Sequence, residues 1–372
     1  MEETRAGDAV EVAESLVGLH GTDPASVYLA AAARMRSATI DGIAAELYEQ
    51  RSLVRMLAMR RTMWVFPLEL AAIAQVAATN AVAANERRRL EKMLVDAGMA
   101  ADAGVWLAVA EQETMRALAA RGEATGAELS ADVPQLREQF QFGIGTKWAG
   151  VQTATTRLLL LLAAEGKIVR ARPRGSWISS QYRWTPLESW LVGGFAGWDT
   201  EAAQTELVRR WLAAFGPATV EDVKWWTGWT LGATRRALAA VDVVDVDLDG
   251  AVGVVLPGDL DPVTAVDPWP ALLPALDPTA MGWIRRGWYL SEHGPALFDR
   301  SGNVGPTVWW DGRIVGGWGQ RPDGEVVYRL LEDVGTDAVT AIDAAAERVT
   351  AFVDGTQVTP RFRTPLEREL SA

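Results

Sequence analysis

Apolar positions at helical spacing run through residues 24–35 and 40–49, and LVRMLAMRRTMWVFP (53–67) then looks like a two-stranded ribbon. The same order returns. Helices are predicted over 111–121, 125–133 and 148–165, the last stopped by Gly166, before KIVRARPRGSWISSQYRW alternates about a turn at 173–175. A third pass gives helices over 201–214, 219–226 (opened by the capping residue Thr219) and 231–240, and then VDVVDVDLDGAVGVVL around Asp249-Gly250, a strong hairpin signal. From about residue 259 the texture changes to short apolar segments broken by Pro and Gly, with one helix over 336–354.

Helix, short helix, longer helix, ribbon is the order of a winged helix. The predicted fold class is therefore α+β: tandem winged-helix (helix-turn-helix) units over 1–105, 106–192 and 193–257, followed by a β-rich C-terminal lobe over 258–372. With 372 residues, 49% of them hydrophobic, the chain has enough material for several packed units.

The acidic start lacks the basic-then-apolar order of a signal peptide, and the longest strong apolar run, 158–164, is too short to span a bilayer. A soluble, cytoplasmic protein with no membrane partner is expected. Having no cysteine, the chain has no thiolate zinc sites, disulfides or cysteine nucleophiles, and its two histidines, His20 and His293, are far apart in sequence. Neither a metal nor a cofactor is expected.

The net charge of −12 argues against adhesion to nucleic acid over the whole surface. Distribution changes that picture, because Lys147, Arg157, Lys167, Arg170, Arg172, Arg174 and Arg183 fall in one stretch whose only acid is Glu165. This basic stripe suits double-stranded DNA, the competing reading being a solvated hairpin with no partner. The first ribbon carries Arg55, Arg60 and Arg61, whereas the third is acidic and is expected to face protein or solvent. Three ribbons in one chain could embrace DNA without a dimer, so a monomer is expected. Most tryptophans should be core, but Trp64 and Trp177 sit on ribbons beside arginines, where they could stack on bases.

The candidate chemistry lies in LVGLHGTDP, residues 16–24. LVGLHGTDPASVYLAAAARM, RRTMWVFP, LLPALDPTAMGWIRRGWYL and GNVGPTVWWDGRIVGGW together resemble the AlkZ and YcaQ group of winged-helix DNA glycosylases, over nearly the whole chain. The resemblance implies a cradle of winged helices around duplex DNA and excision of alkylated purines, including bulky adducts and cross-linked bases, to leave an abasic site. In that family the loop carries Gln-x-Gln or Gln-x-Asp, whose two side chains position the attacking water. Here the pattern is His-x-Thr, so the roles would fall to His20 and Thr22. A neutral His20 could take a proton from water, and Thr22 could hold the same water by its hydroxyl. An N-alkylated purine leaves from an oxocarbenium-like sugar with little need of a general acid. Activity should then titrate near 6.5, shifted by whatever surrounds the imidazole. Arg60, Arg61 and Thr62 are expected close to this loop, on the damaged strand. The alternative is a non-enzymatic DNA-binding or regulatory protein in which His20 merely bonds backbone and Thr22 or Asp23 caps the helix at Pro24.

Overall fold

A computed structural model describes residues 5–142, 145, 149–264 and 266–372. The chain folds into mixed helix and sheet, and three successive helical groups each end in an antiparallel two-stranded ribbon. In the first group Asp23 caps helix Pro24–Ala32, its Oδ1 accepting from the Ala25 N–H at 3.2 Å with proline at the first turn, and Thr39 caps Ile40–Tyr48. The ribbon strands Leu53–Leu57 and Met63–Pro67 follow. A short strand, Leu19–His20, adds to the second of these with Leu19 opposite Val65 and His20 opposite Trp64, giving a three-stranded sheet.

The chain then runs into a helix absent from the sequence reading. Leu68–Ala74 passes through a wide turn, Gln75–Thr79, into Asn80–Asp96. Two bonds tie this turn to both sides: Thr79 donates to the Leu57 carbonyl at 2.8 Å, and Gln75 donates to the Ala164 carbonyl at 2.9 Å.

The second group comprises Ala103–Arg121, Gly126–Asp132 behind a Thr125/Glu128 capping box, and Ala154–Ala164, then the ribbon Ile168–Pro173 with Tyr182–Pro186. The helix expected over 148–165 starts only at Ala154. Before it, Gly150–Thr153 pairs with Gln139–Phe142 as an extra hairpin, because a partner strand is present to take the hydrogen bonds of a Gly-Val-Gln-Thr stretch that is a poor helix former. The second ribbon's connection is also longer than a tight turn, closing where Arg174 donates to the Gln181 carbonyl at 2.9 Å.

The third group matches its pattern closely: Thr200–Phe215, Val220–Thr227 behind a Thr219/Asp222 capping box, Leu231–Ala240, and the ribbon Val244–Leu248 with Ala251–Val255. Asp249 and Gly250 both take positive φ, 53° and 87°, as a two-residue hairpin turn requires. The C-terminal region is a four-stranded antiparallel sheet of Pro270–Leu273, Thr307–Trp310, Arg313–Gln320 and Val326–Leu330 in chain order, with helices Thr336–Val353 and Pro365–Leu370 packed on it.

One large core joins the first group, the third group and part of the C-terminal sheet. The second group has its own core around Leu107, Leu118, Leu129, Leu158 and Leu162, to which helix Asn80–Asp96 contributes Leu90 and Leu94. No described helix is long and apolar enough to cross a membrane. Among the described residues no cluster of three or more His, Asp or Glu could hold a metal ion.

Candidate active site

His20 ends its short strand against the first ribbon, and the following loop is laced to the opposite strand. The Gly21 N–H donates to the Met63 carbonyl at 2.7 Å, and Thr22 Oγ1 accepts from the Met63 N–H at 3.3 Å. At Gly21 a Cβ would stand 3.2 Å from the Trp64 backbone and 3.4 Å from Arg55 Nη1, so glycine lets the loop lie this close. Asp23, not Thr22, caps the next helix, and its Oδ2 accepts from the Arg361 N–H at 2.9 Å, tying the loop to the C-terminal region.

The imidazole is only 4% exposed. It sits 5.4 Å from the Trp64 ring, which stacks on Phe66 and meets Trp226 of the third group edge-on at 5.3 Å. Its Nδ1 has no hydrogen-bond partner among the described residues. Burial, then the positive charges of Arg60 and Arg55, push the His20 pKa down to about 3, so the ring is neutral at physiological pH. The expected titration near 6.5 is thereby moved far to the acid side.

Three arginines lie around this loop without carboxylate partners among the described residues. Arg55 is 3% exposed; its Nη1 donates to the Gly21 carbonyl, its Nε and Nη2 are unpartnered, and its guanidinium lies 5.0 Å over the Tyr182 ring. Arg60 occupies the ribbon tip with φ 53° and covers Trp225 at 4.1 Å; burial, then Arg286, lowers its pKa to about 10. Arg170 reaches from the second ribbon, half-buried, with Nη1 3.2 Å from the Met63 sulfur and its guanidinium 4.6 Å over Trp184.

The other sequence-predicted residues divide. Thr62 lies beside the loop, its hydroxyl donating to the Met59 carbonyl and accepting from Trp64 Nε1, both at 2.9 Å. Arg61 is ion-paired with Glu86 at 2.7 Å. Trp64 is 1% exposed and cannot stack on a base; the third group covers the face the alternation pattern left open. Trp177 is likewise turned to packing, 5.2 Å from Tyr28 and 6.2 Å from Phe352, with Nε1 donating to Thr356 at 3.4 Å.

The basic stripe is real in sequence but heavily paired in space. Lys147 lies outside the described residues. Arg157 donates to Gln152 at 2.6 Å and stands 3.6 Å from Glu86; Lys167 meets Glu111 and Glu165, both at 2.8 Å; Arg172 meets Glu49 at 2.8 Å; Arg183 is 3.9 Å from Glu123. Arg174 is exposed. Apart from Glu165, the acids come from distant parts of the chain, which is why the stretch itself looks almost unopposed. Sequence reading also missed Tyr182 and Trp226, and it gave Arg55 no part in the site; all five residues of Leu53–Leu57 are buried.

A family model described as DNA glycosylase AlkZ-like matches residues 13–352, a span that holds His20, Thr22, Arg55, Arg170 and Tyr182. An interstrand DNA cross-link repair glycosylase from Streptomyces sahachiroi is 28% identical over 160 residues, covering 40% of this chain and 42% of that protein. The solved structure of Streptomyces sahachiroi DNA glycosylase AlkZ superposes with a TM-score of 0.72 over 96% of this chain and 94% of that one, at 20% identity, which is a likeness of fold.

Proposed function

The chain belongs to the AlkZ-like DNA glycosylase family, and from that premise we propose that it hydrolyses the N-glycosidic bond of alkylated or bulky-adduct purines, cross-linked bases among them, in duplex DNA. The observation that carries the reading is His20 itself: neutral, buried, with an Nδ1 unpartnered among the described residues, two residues from the partly exposed Thr22.

A water held between Nδ1 and the Thr22 hydroxyl attacks C1′ of the sugar. The C1′–N bond breaks with its electron pair going to the purine, the water oxygen bonds C1′, and its proton passes to His20 and then to solvent. An imidazole with a pKa of about 3 is a weak base. It accepts the proton only once the water has begun to bond an oxocarbenium-like carbon and has become acidic. Such a site suits a purine that departs without help, as one alkylated at a ring nitrogen does, and leaves an unmodified base in place.

In this reading the three helix-plus-ribbon groups are winged helices, divided at 1–105, 106–192 and 193–257, and form a cradle for the duplex with the lobe over 258–372. Arg60, Arg61 and Thr62 face the damaged strand. Lys147, Arg157, Arg170, Arg172, Arg174 and Arg183 contact the duplex, with Arg157, Arg172 and Arg183 exchanging their carboxylate partners for phosphates. The protein works as a monomer in the cytoplasm, with no cofactor. The departure from the family's amide or carboxylate pair favours a second reading, a DNA-binding or regulatory protein without chemistry. Incubation with duplexes carrying defined alkylated purines, scored for abasic sites, separates the two: abasic sites support hydrolysis, and binding without them supports the second.

A further inference from the structure

Arg55, Arg170 and Tyr182 form a donor-rich cluster beside the His20 loop that the described residues satisfy only in part. Arg55 is almost wholly buried, yet two of its three guanidinium nitrogens have no partner. The Tyr182 hydroxyl is also buried and unpartnered, and its ring lies 5.0 Å from the Arg55 guanidinium and 6.0 Å from that of Arg170. Asp23, the acid of this neighbourhood, has both oxygens committed to backbone N–H groups, of Ala25 and Arg361. Leaving a charged donor buried and unbonded is expensive, so such a set implies a ligand. The two guanidiniums can only donate and the phenol can donate beside them, and what such a set complements is an oxyanion.

We propose that this cluster receives one backbone phosphate of the lesion-carrying strand, and that the phosphate is the missing counter-ion of Arg55. The identity of the ligand rests on the DNA glycosylase reading above. The chemistry of that reading also needs it: a cationic sugar forming beside His20 meets the positive charges of Arg55 and Arg60, and like charges in a low-dielectric site repel strongly. A seated phosphate cancels that field. The site then tolerates the oxocarbenium only when the correct strand is in place. Arg55 acts as a positioning residue in the same step, because its Nη1 holds the carbonyl between His20 and Thr22.

The test is a set of duplexes with the same alkylated purine, each carrying one neutral methylphosphonate at a successive position of the lesion strand. Binding is read by fluorescence anisotropy against salt, and base release in a single turnover. For the parent protein one position should cost roughly ten-fold or more in affinity, flatten the log-log salt slope by about 0.9, and slow release. In Arg55→Gln, Arg170→Gln and Tyr182→Phe that position should cost much less, while the other positions keep their parental costs. Because Arg55 is buried, the fold of its variant is checked by near-ultraviolet circular dichroism, and the other two variants carry the same comparison. A cost that persists undiminished in all three, or no position with a cost, overturns the proposal. If the position is found but no base is ever released, hydrolysis fails and the phosphate site stands.

Discussion

His20 and Trp64 are paired across the sheet, backbone in register, with their rings 5.4 Å apart at 46°. The indole walls the imidazole off from water, and this burial is the largest cause of the depressed pKa. Between pH 3 and 6.5 the unfolded chain protonates this histidine and the native one does not. The unfolded state therefore binds more protons there, and stability falls as pH drops through that window. His20→Gln should flatten this part of the melting temperature versus pH profile relative to the parent. Base release should show no histidine limb near 6.5; a limb there that His20→Gln abolishes would mean the pocket opens to water in the complex.

Trp64 should act on stability rather than on DNA. Trp64→Ala removes a fully buried indole from the junction of the first and third groups and should cost about 3–5 kcal/mol in denaturant unfolding. Trp64→Phe, if folded, should bind duplex DNA like the parent in an anisotropy titration. A loss of affinity in the folded variant would restore the base-stacking role.

The second ribbon should behave as an acid-competed DNA surface. Replacing Arg170, Arg172 and Arg174 by alanine should flatten the dependence of log affinity on log salt, by about 0.9 for each phosphate contact removed. Glu49→Gln should tighten binding, because it releases Arg172 from its 2.8 Å pair. An unchanged slope in the triple variant would move the DNA surface elsewhere.

The elements legible in the sequence were those with strong periodic contrast. Val244–Leu248 alternates apolar and polar residues strictly, and Asp249-Gly250 announces its turn chemically, so the third group was readable almost residue by residue. The helix at Leu68–Ala74 escaped for the opposite reason: its middle is alanine-rich and buried on every side, which leaves no polar stripe to mark a period. The proposed active loop drew attention in the sequence through His20 and Thr22, but its electrostatics were not legible there. Alternation sends every second strand residue to water, whereas Arg55 is covered by Tyr182 from a ribbon more than a hundred residues away.

Arg60, Arg61 and Thr62 at the first ribbon's tip should matter unequally. Arg60 lies over Trp225 and contributes to the field on His20, so Arg60→Ala should raise the His20 pKa as well as weaken DNA binding. Arg61 is tied to Glu86, and its alanine variant should cost less affinity. Thr62→Ala unbonds Trp64 Nε1 and should lower stability by about 1 kcal/mol. Imidazole chemical shifts followed against pH, with anisotropy and melting curves for each variant, check the three effects; parental binding in both arginine variants would leave the tip as scaffold.

The decisive prediction concerns the loop itself. Nδ1 of His20 is buried and has no partner among the described residues, and in the proposed mechanism a water bridges it to Thr22, two residues further along the loop. His20→Ala should therefore slow single-turnover release of an alkylated purine by on the order of 10² or more, the typical worth of a positioned base. Affinity for the duplex should hold, since a neutral side chain makes no phosphate ion pair. Thr22→Ala should cost only about 1 kcal/mol of barrier, because one hydroxyl bond to water is lost and the Met63 N–H can turn to solvent. A double variant, His20→Gln with Thr22→Gln, restores two water-binding amides of the kind the family uses at these positions, and should keep or raise the parental rate. Release by His20→Ala at the parental rate would remove the imidazole from the mechanism, and release by none of these proteins from a duplex they bind would leave a DNA-binding module without chemistry.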